Sequence, residues 1–208
     1  MNTKTKAYYE NNTEEFFSST LNAEVEYLYT DFLSLIPKGA KILDLGCGSG
    51  RDTKAFIDKG YNVTAIDGSP AMCKMAKEKL GIEVECLDFN DIQWKNEFDG
   101  VWACASLLHC ERETLGGVIE KIRDALVPGG IVYMSFKYGD FEGEMLERHF
   151  LDMNEERFEK VLGEISGMEK VKVWQSEDTR RDRDVMWFNG ILRKEYSVKQ
   201  KHDEAKNV

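Results

Sequence analysis

The chain is short of several things that would settle its class at once. Its 208 residues hold three prolines and three histidines, and no run reaches the ~18 apolar residues that a membrane helix needs. The start, Met1-Asn2-Thr3-Lys4, lacks the apolar centre of a secretory signal, so the expected location is the cytoplasm and no membrane partner is expected. Five cysteines, at 47, 73, 86, 104 and 110, form no Cys-x-x-Cys pair and have no histidine cluster beside them. They read as reduced residues of the interior, with no metal site. Positive charge is scarce too: 28 Lys and Arg against 38 Asp and Glu leave a formal charge of −10. A long nucleic-acid track needs a basic surface, so a small-molecule substrate ranks first, on a monomer or homodimer. Arg180, Arg181 and Arg183 still form a local cationic patch.

Without a Gly/Ser-rich tract or an internal repeat there is no linker to mark a boundary, so one domain over 1–208 is expected. It divides into an N-terminal helical arm or lid over 1–40, a core over 41–194 and a polar tail over 195–208. Apolar periodicity predicts helix from Thr13 to Leu35, then strand 41–45, helix 52–59, strand 62–66, helix 70–79 and strand 82–86. Strand 99–104, helix 113–126, strand 131–136, helix 154–166, strand 169–175 and strand 185–193 follow. Alternating β and α elements imply an α/β fold, a mostly parallel twisted sheet with helices on both faces.

The segment Lys41-Ile42-Leu43-Asp44-Leu45 runs into Gly46, Cys47, Gly48, Ser49 and Gly50. A buried apolar strand opening into three glycines, ahead of a helix, is a cofactor loop: the backbone turns sharply, and amides at the helix start face a ligand. Asp67 follows Gly46 by 21 positions, at the end of the next apolar run, where an acidic residue meets a ribose hydroxyl. Ser69 and Pro70 already supply the N-cap and first position of the next helix. A dinucleotide fingerprint needs glycine at the sixth position of the loop, and Arg51 stands there. That disfavours a nicotinamide-dependent oxidoreductase, and it leaves Arg51 either to meet a ligand carboxylate or to sit as a solvated charge.

Leu43-Asp44-Leu45-Gly46-Cys47-Gly48-Ser49-Gly50 with Asp67 resembles the class I S-adenosylmethionine-dependent methyltransferases. Cys86-Leu87-Asp88-Phe89, Phe98-Asp99-Gly100-Val101-Trp102-Ala103 and Leu126-Val127-Pro128-Gly129-Gly130-Ile131 extend the likeness in the family's order. Gly50-Arg51-Asp52, Leu107-Leu108-His109 and Ser135-Phe136-Lys137-Tyr138-Gly139 look most like small bacterial members near the tellurite-resistance methyltransferases. The resemblance implies a Rossmann-like fold whose last strand is antiparallel and bound in a hairpin to the one before it. It also implies S-adenosyl-L-methionine as cofactor, with S-adenosyl-L-homocysteine as product. Asp67, with Gly68 and Ser69 beside it, would serve the ribose. Asp88 would receive the adenine amino group, and Phe89 would offer an amide or a packing face. Asp44 would orient the loop of Gly46, Cys47, Gly48 and Gly50 or meet the cofactor's amino group, with Arg51 and Cys104 in the same set. Tyr9 in the arm would close over the cofactor, as the family's N-terminal segments do. A staple ahead of a helix is the other reading of Tyr8-Tyr9.

Methyl transfer from sulfur requires a general base only if the acceptor has a proton to lose. His109, just past the fourth strand and with an ordinary pKa near 6.5, is the candidate; packing against a loop is its other role. Lys137, Tyr138, Arg148, Arg180 and Arg183 form a possible anion-reading rim, or else 177–184 is a self-neutralising turn. The expected function is methyl transfer to a small molecule, with an anion as the class that the rim would select. RNA or protein acceptors are the alternative, followed by a nicotinamide-dependent oxidoreductase on a related fold.

Overall fold

Along the first strand, side chains alternate between two interiors, which fixes the layering. Leu43 and Leu45 point into one apolar cluster with Leu115, Val118, Ile119 and Ile122, while Ile42 points into another with Tyr29, Phe32, Phe56 and Trp102. Period two across a sheet covered on both faces gives this double burial. The computed structural model describes residues 3–180 and 184–196.

The element order is α1 (Thr3–Asn11), α2 (Thr13–Leu21), α3 (Glu26–Leu33), β1 (Lys41–Leu45), α4 (Arg51–Asp58), β2 (Asn62–Asp67), α5 (Pro70–Leu80) and β3 (Val84–Cys86). Then follow β4 (Phe98–Ala103), α6 (Arg112–Ala125), β5 (Leu126–Lys137), β6 (Glu142–Met145), β7 (Arg148–Leu151), α7 (Glu155–Glu164), β8 (Met168–Glu177) and β9 (Met186–Lys194). One seven-stranded sheet runs β3-β2-β1-β4-β5-β9-β8. The first five strands are parallel, and β9 is antiparallel to both β5 and β8, as the resemblance implied. The carboxyl ends of β1, β2, β4, β5 and β8 therefore share an edge with the start of β9. Strand order reverses there between β1 and β4, the place where α/β sheets bind ligands.

Local signals hold at α5: Ser69 Oγ accepts from the Met72 amide at 3.4 Å, Pro70 is the first helical residue, and Gly81 closes the helix at φ +68°. Two regions differ from expectation. The helix expected over Thr13–Leu35 is two helices, and a further one, α1, precedes them and contains both Tyr8 and Tyr9, with Tyr9 packed on Phe16 at the start of α2. Residues 142–151, to which no element was assigned, form the β6–β7 hairpin. Its two-residue turn holds Leu146 and Glu147 at φ +50° and +62°, and neither residue announces such a turn in sequence. The helix expected over 154–166 is two residues shorter at its end, and α4 begins at Arg51. Only 195 and 196 of the expected tail lie within the described residues. Among these, no helix is long and apolar enough to cross a membrane.

Candidate active site

The β1–α4 loop is held by its own backbone. The amides of Gly46 and Cys47 both donate to the Ile66 carbonyl, at 2.9 and 3.0 Å, Gly50 donates to the Cys47 carbonyl at 2.9 Å, and Gly48 donates to Asp67 Oδ2 at 2.9 Å. These four amides, which precede the start of α4, are committed within the protein. The glycines act through space instead. Gly46 has φ +78°, and a Cβ there would stand 2.6 Å from Ser106 Cβ and 3.3 Å from the Phe89 ring. Gly46→Ala is therefore expected to cost about 1–3 kcal/mol of stability, from left-handed strain and overpacking together. Urea unfolding measures it, and an unchanged midpoint would mean that the loop moves aside freely.

Two clefts open at the sheet edge on either side of this loop. The smaller is lined by Asp67, Gly68, Met72, Phe89 and Ser106; the larger takes in Cys47, Arg51, Cys104, Lys137, Arg148 and Trp187 and encloses roughly 180 Å³. Tyr9, Phe16, Gly46, Gly48, Ala105 and His109 line both, so one wall serves the two spaces. Tyr9 and Phe16 come from the arm, their rings edge to face at 4.8 Å. Phe16 was not singled out from the sequence. Its signal was the pair Phe16-Phe17, of which Phe17 alone is buried in the interior. Ser106 was missed as well: its Oγ is buried in the smaller cleft with no hydrogen-bond partner, and nothing in the sequence marks it.

Asp67 sits at the end of β2 with both oxygens engaged, Oδ1 accepting from the Ser69 amide at 2.8 Å and Oδ2 from Gly48. Burial pushes its carboxyl above the usual range, against the pull of these two donors. Several other expected cofactor residues lie outside the clefts. Asp44 is buried beneath α4 and accepts from Thr53 Oγ1 at 2.5 Å; burial, then the nearby Asp52, raise its carboxyl to about 8. Gly50 packs beneath Ile82 and Leu80, Ser69 caps α5, and Asp88 Oδ1 accepts from the Asn90 backbone and side chain at 3.0 Å.

Arg51 is neither solvated nor free. Its Nε and Nη2 fork onto Asp52 at 2.6 and 2.9 Å. Asp52 also accepts from Tyr29 Oη at 2.6 Å and Trp102 Nε1 at 2.8 Å. Burial works against both charges, and their pairing outweighs it: the Asp52 carboxyl is held below its usual range and the Arg51 guanidinium above. Trp102 itself is core, stacked on Tyr133 at 4.0 Å. The cysteines are less uniform than expected, since Cys86 is exposed and Cys47 and Cys104 are half-buried. Burial raises the Cys104 thiol to about 12.

His109 belongs to a short 3-10 turn after β4 and is 6% exposed. Its Nδ1 lies 2.7 Å from the His149 carbonyl on β7 and its Nε2 lies 2.7 Å from Tyr9 Oη. Burial depresses its pKa to about 3, so the free base with a pKa near 6.5 is not what the fold builds. Of the expected rim, Lys137, Arg148 and Arg180 line the larger cleft. Arg180 is turned onto Asp178 at 2.9 Å, the self-neutralising arrangement. Tyr138 faces away and donates to Glu155 at 3.2 Å; Arg183 and Arg181 lie outside the described residues.

Residues 42–130 match a family model described as a methyltransferase domain. Over 111 residues, half of this chain and 38% of the relative, the sequence is 32% identical to the malonyl-[acyl-carrier protein] O-methyltransferase of Acetivibrio thermocellus. Over 122 residues, 56% of this chain and 43% of the relative, it is 28% identical to TehB of Haemophilus influenzae, a probable S-adenosyl-L-methionine-dependent methyltransferase. The chain thus spans less than half the length of either relative. The 1,6-didemethyltoxoflavin-N1-methyltransferase of Burkholderia thailandensis, solved with bound 1,6-didemethyltoxoflavin and S-adenosylhomocysteine, has the same fold, with a TM-score of 0.63 at 21% identity over 92% of this chain and 91% of that one.

Proposed function

We propose that this chain, a member of the class I S-adenosylmethionine-dependent methyltransferases, transfers a methyl group to a small molecule bound in the larger cleft. The observation that carries the reading is the shared wall, where Tyr9, Gly46, Gly48 and His109 face both spaces, so that two ligands lying either side of the glycine loop would meet there. S-adenosylmethionine is the cofactor of the family, and the smaller cleft offers groups that suit its nucleoside. Asp67 keeps lone pairs for hydroxyl donors, Phe89 offers a ring wall, and the partnerless Ser106 hydroxyl supplies a donor and an acceptor. When bound, the cofactor supplies a methyl carbon already activated by positive sulfur.

The protein's contribution is then position and exclusion of water, and proximity alone supplies ~7–11 kcal/mol of such a barrier. The arm provides the exclusion. Tyr9 and Phe16 roof the clefts, and α1 is tied to the hairpin where Thr5 Oγ1 accepts from the His149 amide at 2.9 Å. A small acceptor is supported by the volume of the larger cleft and by the didemethyltoxoflavin bound in the similar Burkholderia structure.

Thermal unfolding tests the reading. S-adenosylhomocysteine at a hundred times its Kd is expected to add about 2.7 kcal/mol of stability, while NAD and NADP leave the midpoint unchanged. Stabilisation by a nicotinamide cofactor with none by S-adenosylhomocysteine overturns it. A screen of small acceptors with S-adenosylmethionine, read by mass spectrometry, then identifies the substrate.

A further inference from the structure

The hydrogen bonds of His109 decide what it can do. The His149 carbonyl can only accept, so the proton of the ring sits on Nδ1, and Nε2 is left as an acceptor, which Tyr9 Oη fills at 2.7 Å. A second proton would have to displace that donation and place a buried positive charge beside the cations that face the ring, Arg148 on β7 and Lys137 at the end of β5, with His149 adjacent. The geometry thus makes His109 a fixed acceptor that holds Tyr9 and the arm in place, a positioning residue rather than a proton carrier.

The other ionisable groups lining the larger cleft are no better placed to take a proton. Asp52 is bound by Arg51, Tyr29 and Trp102, Asp178 is bound by Arg180, and Glu177 is exposed to solvent. Burial leaves Tyr9 and Cys104 near 12, with Arg148 pulling Tyr9 back only in part. A base so weakly basic as His109, or so fully bonded as Asp52, contributes little to proton removal near neutrality.

The cleft is instead furnished for negative charge. The Arg148 guanidinium lies 4.2 Å from the Tyr8 ring centroid and 5.0 Å from that of Phe150, with Nε buried and unpartnered. Lys137 Nζ stands 3.7 Å from the same Phe150 centroid. In a chain of net charge −10, two cations inside one cleft concentrate an anion that the rest of the surface repels.

We infer that the acceptor enters as a weakly basic oxyanion, a carboxylate being the class, held by Arg148 and Lys137, and that its attacking oxygen has no proton to lose. This rests on the reading of the cleft as a methyl-transfer site. The oxygen lone pair forms the new bond to the methyl carbon as the carbon–sulfur bond breaks and its pair stays on sulfur; an anion and a cation become two neutral products, an ester and a thioether, and no proton moves. Charge on the oxygen fades along this path, so a cation touching it favours the bound ground state over the transition state. Loss of Arg148 should accordingly appear more in KM than in kcat.

The test uses protein saturated with S-adenosylhomocysteine and calorimetry with acetate, succinate and benzoate against acetamide, succinamide and benzamide. At least one carboxylate is expected to bind tenfold or more tightly than its amide, and Arg148→Gln to erase the difference. With S-adenosylmethionine that carboxylate is expected to give its methyl ester with kcat/KM level from pH 6 to 9, and Arg148→Gln to raise KM at least tenfold with kcat unchanged or higher. Amides binding as well as carboxylates, binding of none of the six, a preference that survives Arg148→Gln, or a kcat/KM limb between pH 6 and 8 would each overturn the inference. Failure to bind S-adenosylhomocysteine at all sinks the methyltransferase reading, a separate result.

Discussion

Asp52→Ala is expected to remove about 3–5 kcal/mol of folding stability, the range for breaking a buried ion pair by deleting one partner. The carboxylate is 6% exposed and accepts from three side chains, Arg51, Tyr29 and Trp102. Without it the Arg51 guanidinium keeps its burial and loses its counter-charge, and two further buried donors are left without a partner. Those donors come from α3 and β4 while the carboxylate is on α4, so the loss loosens the packing of two helices on the sheet at once. A control separates charge from packing: Arg51→Met with Asp52→Leu removes both charges and is expected to recover part of the loss, because two absent charges cost less than one abandoned. Urea unfolding with a constant slope measures both variants, and a loss under 1 kcal/mol for Asp52→Ala would show that water reaches Arg51.

What could be read in the sequence follows from which physics is local. The ends of β1 and β2 were legible, at Leu45 and within one residue of Asp67, because apolar runs buried on both faces stop where glycine and acidic residues begin. The start of α5 was legible because capping is a matter between neighbours, Ser69 with Met72. The β6–β7 hairpin was not, since its turn rests on Leu146 and Glu147 at positive φ, and no local rule selects those residues there. That gap mattered for the site: the hairpin carries the His149 carbonyl, which fixes the tautomer of His109 from 40 residues away. Arg51 illustrates the same limit. Its place in the loop was plain, but its partner was the next residue in the chain, and only burial beneath Tyr29 and Trp102 turns that pairing into a fixed hub.

Asp67→Ala is expected to weaken S-adenosylhomocysteine binding by about 1.5–3 kcal/mol, the worth of hydrogen bonds to a charged acceptor, or roughly ten- to over a hundredfold in Kd. Each oxygen already accepts one backbone amide, Oδ1 from Ser69 and Oδ2 from Gly48, and retains a lone pair for a ribose hydroxyl. The same bonds make asparagine a poor replacement. One of its two terminal atoms is an NH2, which would confront either the Ser69 or the Gly48 amide, donor against donor, so Asp67→Asn should bind no better than Asp67→Ala and fold less stably. The pH dependence has a definite sign. Burial raises the folded carboxyl above its ordinary value of 3.8, so the protein holds this proton to higher pH than the unfolded chain does. The group's contribution to stability is therefore full below that value and falls as pH rises through the folded pKa. Hydroxyl donors from the ligand favour the charged form, so binding should strengthen over the same interval. Calorimetry across that range decides the matter: a folded Asp67→Ala protein with parental affinity, or a parent whose affinity is level through it, would remove Asp67 from the ribose.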